Sequence, residues 1–163
     1  MLAAVAPAGD VELDDQAAAV LTASRALLGV VAHSLAPALE QVTLPQFRVL
    51  MILSTQGAAV RTGALADALG VQASTFTRTA DRLVSGGWVR RIENPGSRRE
   101  ILIDLTAKGS RLVTLVTTRR QAEITRVLRR MDRAQREQAR AGLDAFARAA
   151  GEPSAADLGA LGI

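Results

Sequence analysis

A chain of 163 residues is sized for one domain, or one domain with an oligomerisation element, and its 48% hydrophobic content supplies a core drawn mainly from Leu, Val, Ile and Ala. With no cysteine, disulfides, thiolate metal sites and thiol-based redox sensing are excluded; with His33 as the single histidine, so is a histidine-rich metal site. The net charge of +4 is unevenly spread: residues 1–60 carry two arginines against five acids, residues 61–99 seven against three, and residues 100–163 eleven bases against eight acids. The base bias is therefore greatest in the middle third, where a nucleic-acid surface would need it.

The N-terminal MLAAVAPAGDVELDD is apolar, but it lacks a basic region and is broken by Pro7 and Asp10, so no signal peptide is expected. No apolar run is expected to be long and uninterrupted enough to span a bilayer. A cytoplasmic protein without a membrane partner is the expectation. Residues 1–13 are expected to form a mobile arm. A long helix is predicted from Asp14 or Asp15, either able to cap. Its stripe is Leu21, Leu28, Val31 and Leu35, widened by Val20, Leu27 and Leu39. So broad a stripe predicts contact on two sides, and Pro37 is expected to kink or end the helix.

Thr43 and Gln46 have the spacing of a capping box, and Val42 and Phe47 that of a hydrophobic staple across it. The helix they open turns Phe47, Leu50, Met51 and Leu53 inward and ends near residues 56–57. A short extended piece over residues 58–61 leads to a helix over residues 62–69, which buries Leu65 and Leu69 and stops at Gly70.

Residues 74–85 place Phe76, Ala80, Leu83 and Val84 on one apolar stripe at helical spacing. The opposite face carries Ser74, Thr75, Arg78 and Arg82, with the two arginines four apart and so one above the other. Together with residues 62–69 this makes a helix-turn-helix, with Gly70 in the turn. Gly86-Gly87 stops the second helix, since glycine accepts the left-handed cap without steric cost. Residues 88–92 and 101–105 then read as paired strands around a turn at Asn94-Pro95-Gly96, with Arg98 and Arg99 at or just past the hairpin tip. Such an assembly suits duplex DNA. The major groove admits one helix and offers guanine edges to bidentate arginine, while an arginine hairpin reaches the backbone or the electronegative minor groove.

Thr106 is predicted to cap a helix to about residue 130, with Leu112, Leu115, Val116, Ile124, Val127, Leu128 and Met131 as its apolar positions. Asp132 with Gln135 opens another, turning Leu143, Phe146, Ala147 and Ala150 inward, until Gly151 and Pro153 end it. Residues 152–163 are expected to be a mobile end, from which Leu158, Leu161 and Ile163 can pack on a partner. Long amphipathic helices at both ends have too few intrachain neighbours, which predicts pairing with a second copy. A twofold dimer presents two reading helices to successive major grooves, about 10 base pairs apart. Asp81, beside Arg78 and Arg82, reads as one arm of an ion pair that orients an arginine. No second carboxylate or nucleophile lies at useful spacing, so neither an enzyme nor a cofactor or metal site is expected.

The motifs LPQFRVLMIL, LADALGV, STFTRTADRLVSGGWVRR, NPGSRRE and ILIDLTAKG, in this order and spacing, resemble the MarR family of winged-helix transcription regulators over roughly residues 14–150. The resemblance implies a mainly α fold with a small β-hairpin wing: a winged helix-turn-helix DNA-binding lobe over residues 44–105, between N- and C-terminal dimerisation helices over residues 14–40 and 107–150. It places Ser74, Thr75, Thr77, Arg78 and Arg82 on the recognition helix and Arg98 and Arg99 in the wing, with Arg61 as a phosphate contact. It also implies a small-molecule effector pocket near His33, Phe47 and Met51. Two positions depart from the family pattern. Ser97 stands where an acid usually holds the wing arginine, which predicts a less rigid but more cationic wing. Gln72 stands where a better cap is usual, and offers its amide to a base or phosphate instead. The function so implied is a sequence-specific double-stranded DNA-binding regulator, a repressor acting as a homodimer on a pseudo-palindromic operator and released by a small molecule. The competing reading is a winged helix used for protein–protein contact, and salt response separates the two.

Overall fold

The computed structural model describes residues 8–94 and 96–151. Its elements in chain order are α1 (Ala8–Leu39), α2 (Leu44–Gln56), β1 (Val60–Arg61), α3 (Thr62–Leu69), α4 (Ala73–Ser85), β2 (Val89–Asn94), β3 (Ser97–Leu105), α5 (Ala107–Leu128) and α6 (Arg133–Ala149). The mainly α winged helix-turn-helix arrangement is thus present, between long terminal helices.

The helix α1 begins at Ala8, earlier than the predicted Asp14 or Asp15. Glu12 lies in its early turns, where a carboxylate suits the positive end of the helix dipole, and accepts from Gln16 one turn on at 3.2 Å. Pro37 lies inside α1, which ends two residues later at Leu39. The N–H that proline lacks would have served only the final turn, so the ring terminates the helix without a mid-helix break. Only the C-terminal end of α1 enters the core, through Leu35 and Ala38. There Ser34, buried, accepts a hydrogen bond from Arg120 Nε at 3.2 Å, tying α1 to α5. The expectation that no run is apolar enough to cross a membrane is corrected: residues Glu12–Leu39 are long and apolar enough by length and composition. The physical reason is that Arg25 is the single formal charge between Gln16 and Leu39. The outward Leu21, Leu27 and Leu28 are left exposed by the described residues.

The capping box that opens α2 is formed, with Thr43 N–H donating to Gln46 Oε1 at 2.8 Å and Gln46 N–H to Thr43 Oγ1 at 3.4 Å. Val42 and Phe47 are both buried across it, as a staple requires. Phe47, Leu50 and Leu53 face the core with Met51 half-buried, and Val49 joins them because α2 runs through the middle of the lobe, between α3, α4, α5 and β3. Gly57 and Gly70 close α2 and α3 in the left-handed region, at φ of +61° and +65°.

The sheet exceeds the predicted hairpin. It is three-stranded and antiparallel in the order β1-β3-β2, with Val60 opposite Ile103 and Arg61 opposite Leu102. The extended piece after α2 pairs with the otherwise open edge of β3, satisfying backbone groups there and holding the start of α3 against the wing. Between β2 and β3 the register steps from Glu93 opposite Ile101 to Asn94 opposite Ser97. Residues 98–100 therefore stand outside the regular ladder at the tip. Pro95 of the predicted turn lies outside the described residues.

In α5 the buried Leu112, Val113 and Val116 all lie in the N-terminal half. In α6 the predicted capping box forms, with Gln135 N–H donating to Asp132 Oδ1 at 2.8 Å and Asp132 N–H to Gln135 Oε1 at 2.9 Å. The inward placement of Leu143, Phe146, Ala147 and Ala150 is corrected, since α6 buries no residue: Leu143 is 54% and Phe146 57% exposed. A stripe at helical spacing needs a neighbour, and among the described residues none packs closely enough on α6 to bury it. Leu158, Leu161 and Ile163 lie outside the described residues.

Candidate nucleic-acid interface

The helix α4 is anchored on one side by Phe76, Ala80 and Leu83, all buried against the lobe core. That anchoring leaves Ser74, Thr75, Arg78 and Arg82 exposed on the other side. The end of α4 is fixed by a Schellman arrangement: Trp88 N–H donates to Leu83 O at 2.9 Å and Gly87 N–H to Val84 O at 2.9 Å. The left-handed residue is Gly87, at φ +72°, whereas Gly86 is needed for room, since a Cβ there would lie 2.6 Å from the Trp88 ring.

The neighbouring arginines are divided by their partners. Arg90 donates to Asp104 Oδ2 through Nε at 2.8 Å, directly across the β2–β3 ladder. Arg91 donates to Asp81 Oδ1 at 2.6 Å, so the partner of Asp81 is a strand arginine and neither Arg78 nor Arg82. Arg61, in the cap position of α3, stands 3.7 Å from Glu100, which also accepts from Asn94 Nδ2 at 2.8 Å. Arg78 and Arg82 enter no ion pair among the described residues. A guanidinium already held by a carboxylate must give up that bond to meet phosphate or guanine. Arg78 and Arg82 face no such competition from the described residues.

The remaining expected site residues fall as follows. Gln72 is the cap residue of α4, exposed and making no capping hydrogen bond. Thr77 is exposed, but its hydroxyl donates to Ala73 O at 2.9 Å, and it lines a cleft of about 450 Å³ with Arg61, Asp67, Arg91, Glu100 and Ile101. The backbone of Arg98 and Arg99 lies in β3, while their side chains lie outside the described residues. Of the effector-pocket residues, Phe47 is buried in the core, Met51 packs half-buried against it, and His33 is exposed on α1. Neither described cavity reaches these three.

The family model described as "MarR family" matches residues 42–101, from the α2 cap to the wing. RV1404 from Mycobacterium tuberculosis, a solved structure, is 43% identical and superposes with a TM-score of 0.74, covering 93% of this chain and 99% of that one. This chain belongs to the MarR family. The multiple antibiotic resistance protein MarR of Escherichia coli (strain K12) is 38% identical over 69 residues, 42% of this chain and 47% of that protein. The chain thus spans about half the length of the curated relatives it matches. The S. aureus MepR F27L mutant, solved bound to an oligodeoxyribonucleotide, shares 18% identity and the fold, with a TM-score of 0.64 over 82% of this chain and 96% of that one.

Three contacts of this MarR lobe escaped sequence reasoning. Arg90–Asp104 follows from the hairpin register, but counting from the turn misleads because the register steps at Asn94. Asp81–Arg91 crosses from α4 to β2, a tertiary contact that no spacing announces. The wing tip is braced by Asn94, whose Oδ1 accepts Gly96 N–H at 3.0 Å while its Nδ2 donates to Glu100. This brace acts at the turn end of the hairpin, beside Ser97, where the missing acid predicts looseness.

Proposed function

We propose that this MarR-family chain is a sequence-specific double-stranded DNA-binding transcription regulator, a repressor acting in the cytoplasm as a homodimer on a pseudo-palindromic operator. The observation that carries the reading is the outward face of α4, where Arg78 and Arg82 stand without ion pairs among the described residues beside Ser74 and Thr75. α4 enters the major groove, Arg78 and Arg82 read guanine edges, and Gln72, Ser74, Thr75 and Thr77 supply shorter contacts. Arg98 and Arg99 meet the flanking minor groove and phosphates, and Arg61 a backbone phosphate. That a MepR mutant of the same fold was solved bound to an oligodeoxyribonucleotide supports DNA as the partner.

The homodimer is supported by the uncovered apolar residues of three helices: Leu21 and Leu28 of α1, Ile124 and Val127 of α5, Leu143 and Phe146 of α6. Residues 14–40 and 107–150 form the clasp and residues 44–105 the reading lobe. The clasp holds two α4 helices at the spacing of successive major grooves, about 10 base pairs. A small molecule bound near His33, Phe47 and Met51, where α1 meets α2, changes the lobe separation and so releases the operator.

Selection of bound duplexes from a random pool tests the reading, and a palindromic consensus is the expected result. Arg78→Ala and Arg82→Ala should each cost about 1–3 kcal/mol on that consensus and relax sequence choice at one step. A protein whose duplex affinity ignores sequence even at low salt, or in which both variants keep full discrimination, would overturn it.

A further inference from the structure

The LTAKG run at the start of α5 contains Lys108, the only lysine of the chain, and the DNA contacts above leave it without a role. Its ammonium donates to the Gly86 carbonyl at 2.7 Å and lies 3.9 Å from the centroid of the Trp88 ring. Gly86 is the first residue past α4, so this cation sits at the negative end of the recognition helix, where charge and dipole agree.

The surrounding joint is closely fitted. Thr106 N–H donates to the Trp88 carbonyl at 3.2 Å, and the Thr106 hydroxyl to the Gly87 carbonyl at 2.7 Å. The same hydroxyl accepts Gly109 N–H at 3.2 Å, capping α5. A Cβ on Gly109 would stand 2.3 Å from the Trp88 carbonyl oxygen, so α5 passes as near as backbone allows. Trp88 itself is buried. On the other side, Gly86 N–H donates to the Arg82 carbonyl at 3.0 Å. An unbroken series of bonds therefore runs from the Lys108 ammonium through Gly86 to the turn that carries Arg82.

We infer that Lys108 is a positioning residue for operator binding: by clamping the Gly86 carbonyl and the Trp88 ring, it fixes the last turn of α4 to α5, and so fixes Arg82 relative to the helix that leads to α6. The inference rests on the DNA-binding reading above and names a residue through which α5 governs it. The ammonium is suited to the task because it engages a carbonyl and an aromatic face at once. Arg78, one turn back along α4, lies further from the clamp and depends on it less.

The test compares Lys108→Met, Lys108→Gln and Lys108→Arg with the wild-type protein, on the selected duplex and on a scrambled one. Lys108→Met should weaken operator binding about three- to tenfold, leave scrambled-duplex binding within about twofold, and relax sequence choice at the step that Arg82→Ala relaxes. In the double variant with Arg82→Ala, the further loss should be smaller than that of Lys108→Met alone. Trp88, the single tryptophan, gives a second readout: its emission should change in the methionine variant and return toward wild type with arginine. Lys108→Gln keeps a donor for Gly86 and should lose less, and it carries the test if the methionine variant fails to fold. A wild-type protein without sequence preference overturns the DNA reading and this inference with it. A discriminating wild type whose Lys108→Met variant discriminates equally, or leaves Trp88 emission unchanged, overturns this inference alone.

Discussion

Replacing Phe146 with alanine tests the proposed clasp apart from the reading lobe, because no α6 residue is among those described as packed on the lobe core. A phenylalanine side chain buries roughly 200 Å² when covered, and Phe146 is 57% exposed in the single chain, leaving roughly 115 Å² for a partner to cover. At about 25 cal/mol per Å² that area corresponds to about 3 kcal/mol per copy, and about 6 kcal/mol for the two copies of a twofold dimer, as a ceiling. Alanine keeps part of the contact and area converts incompletely into affinity, so about half the ceiling is expected. That is about 3 kcal/mol, or roughly a hundredfold rise in the dimer dissociation constant. Sedimentation across a wide concentration range measures it, with circular dichroism to verify that the helices persist. A dissociation constant that moves by less than about threefold, or a wild-type protein that is monomeric at every concentration, would refute the reasoning.

Three other substitutions probe the lobe. Thr43→Ala removes half of the α2 capping box and should lower stability by about 1 kcal/mol in urea denaturation, with dimerisation unaltered. Gly109→Ala places a Cβ against the Trp88 carbonyl oxygen at 2.3 Å. The backbone must shift, and about 1–3 kcal/mol should be lost despite the better helix propensity of alanine; a variant at least as stable as wild type would contradict the fit of the joint. Asp81→Asn breaks the ion pair with Arg91, both partners being well exposed. Thermal unfolding should register no more than about 1 kcal/mol, whereas a larger loss would mean that this strut bears more of the lobe than its exposure allows.

Local chemistry made much of this fold legible in advance. Thr43 with Gln46, and Asp132 with Gln135, form the capping boxes that their spacing announced, and Phe76, Ala80 and Leu83 bury the face that helical periodicity selected. β1 was harder, since two residues have no period and become a strand only because β3 offers an edge. The stripe on α6 was read correctly as apolar and wrongly as inward, for periodicity reports that a face needs cover and not which chain provides it. At the site, the exposure of Arg78 and Arg82 followed from their four-residue spacing opposite Phe76 and Leu83. The sorting of arginines into paired and unpaired ones did not, because Arg91 reaches Asp81 only after the chain has turned into the sheet.

The outward face of α4 and the bare faces of α1 and α6 occupy separate stretches of sequence and share no side chain. Under the proposed reading, mutations that rewrite the preferred duplex can therefore accumulate without altering which subunits join, and the converse holds as well. After a gene duplication, the two descendants would go on mixing until their mating faces drift apart. In such a dimer the hybrid pairs would have each half addressed to a different sequence.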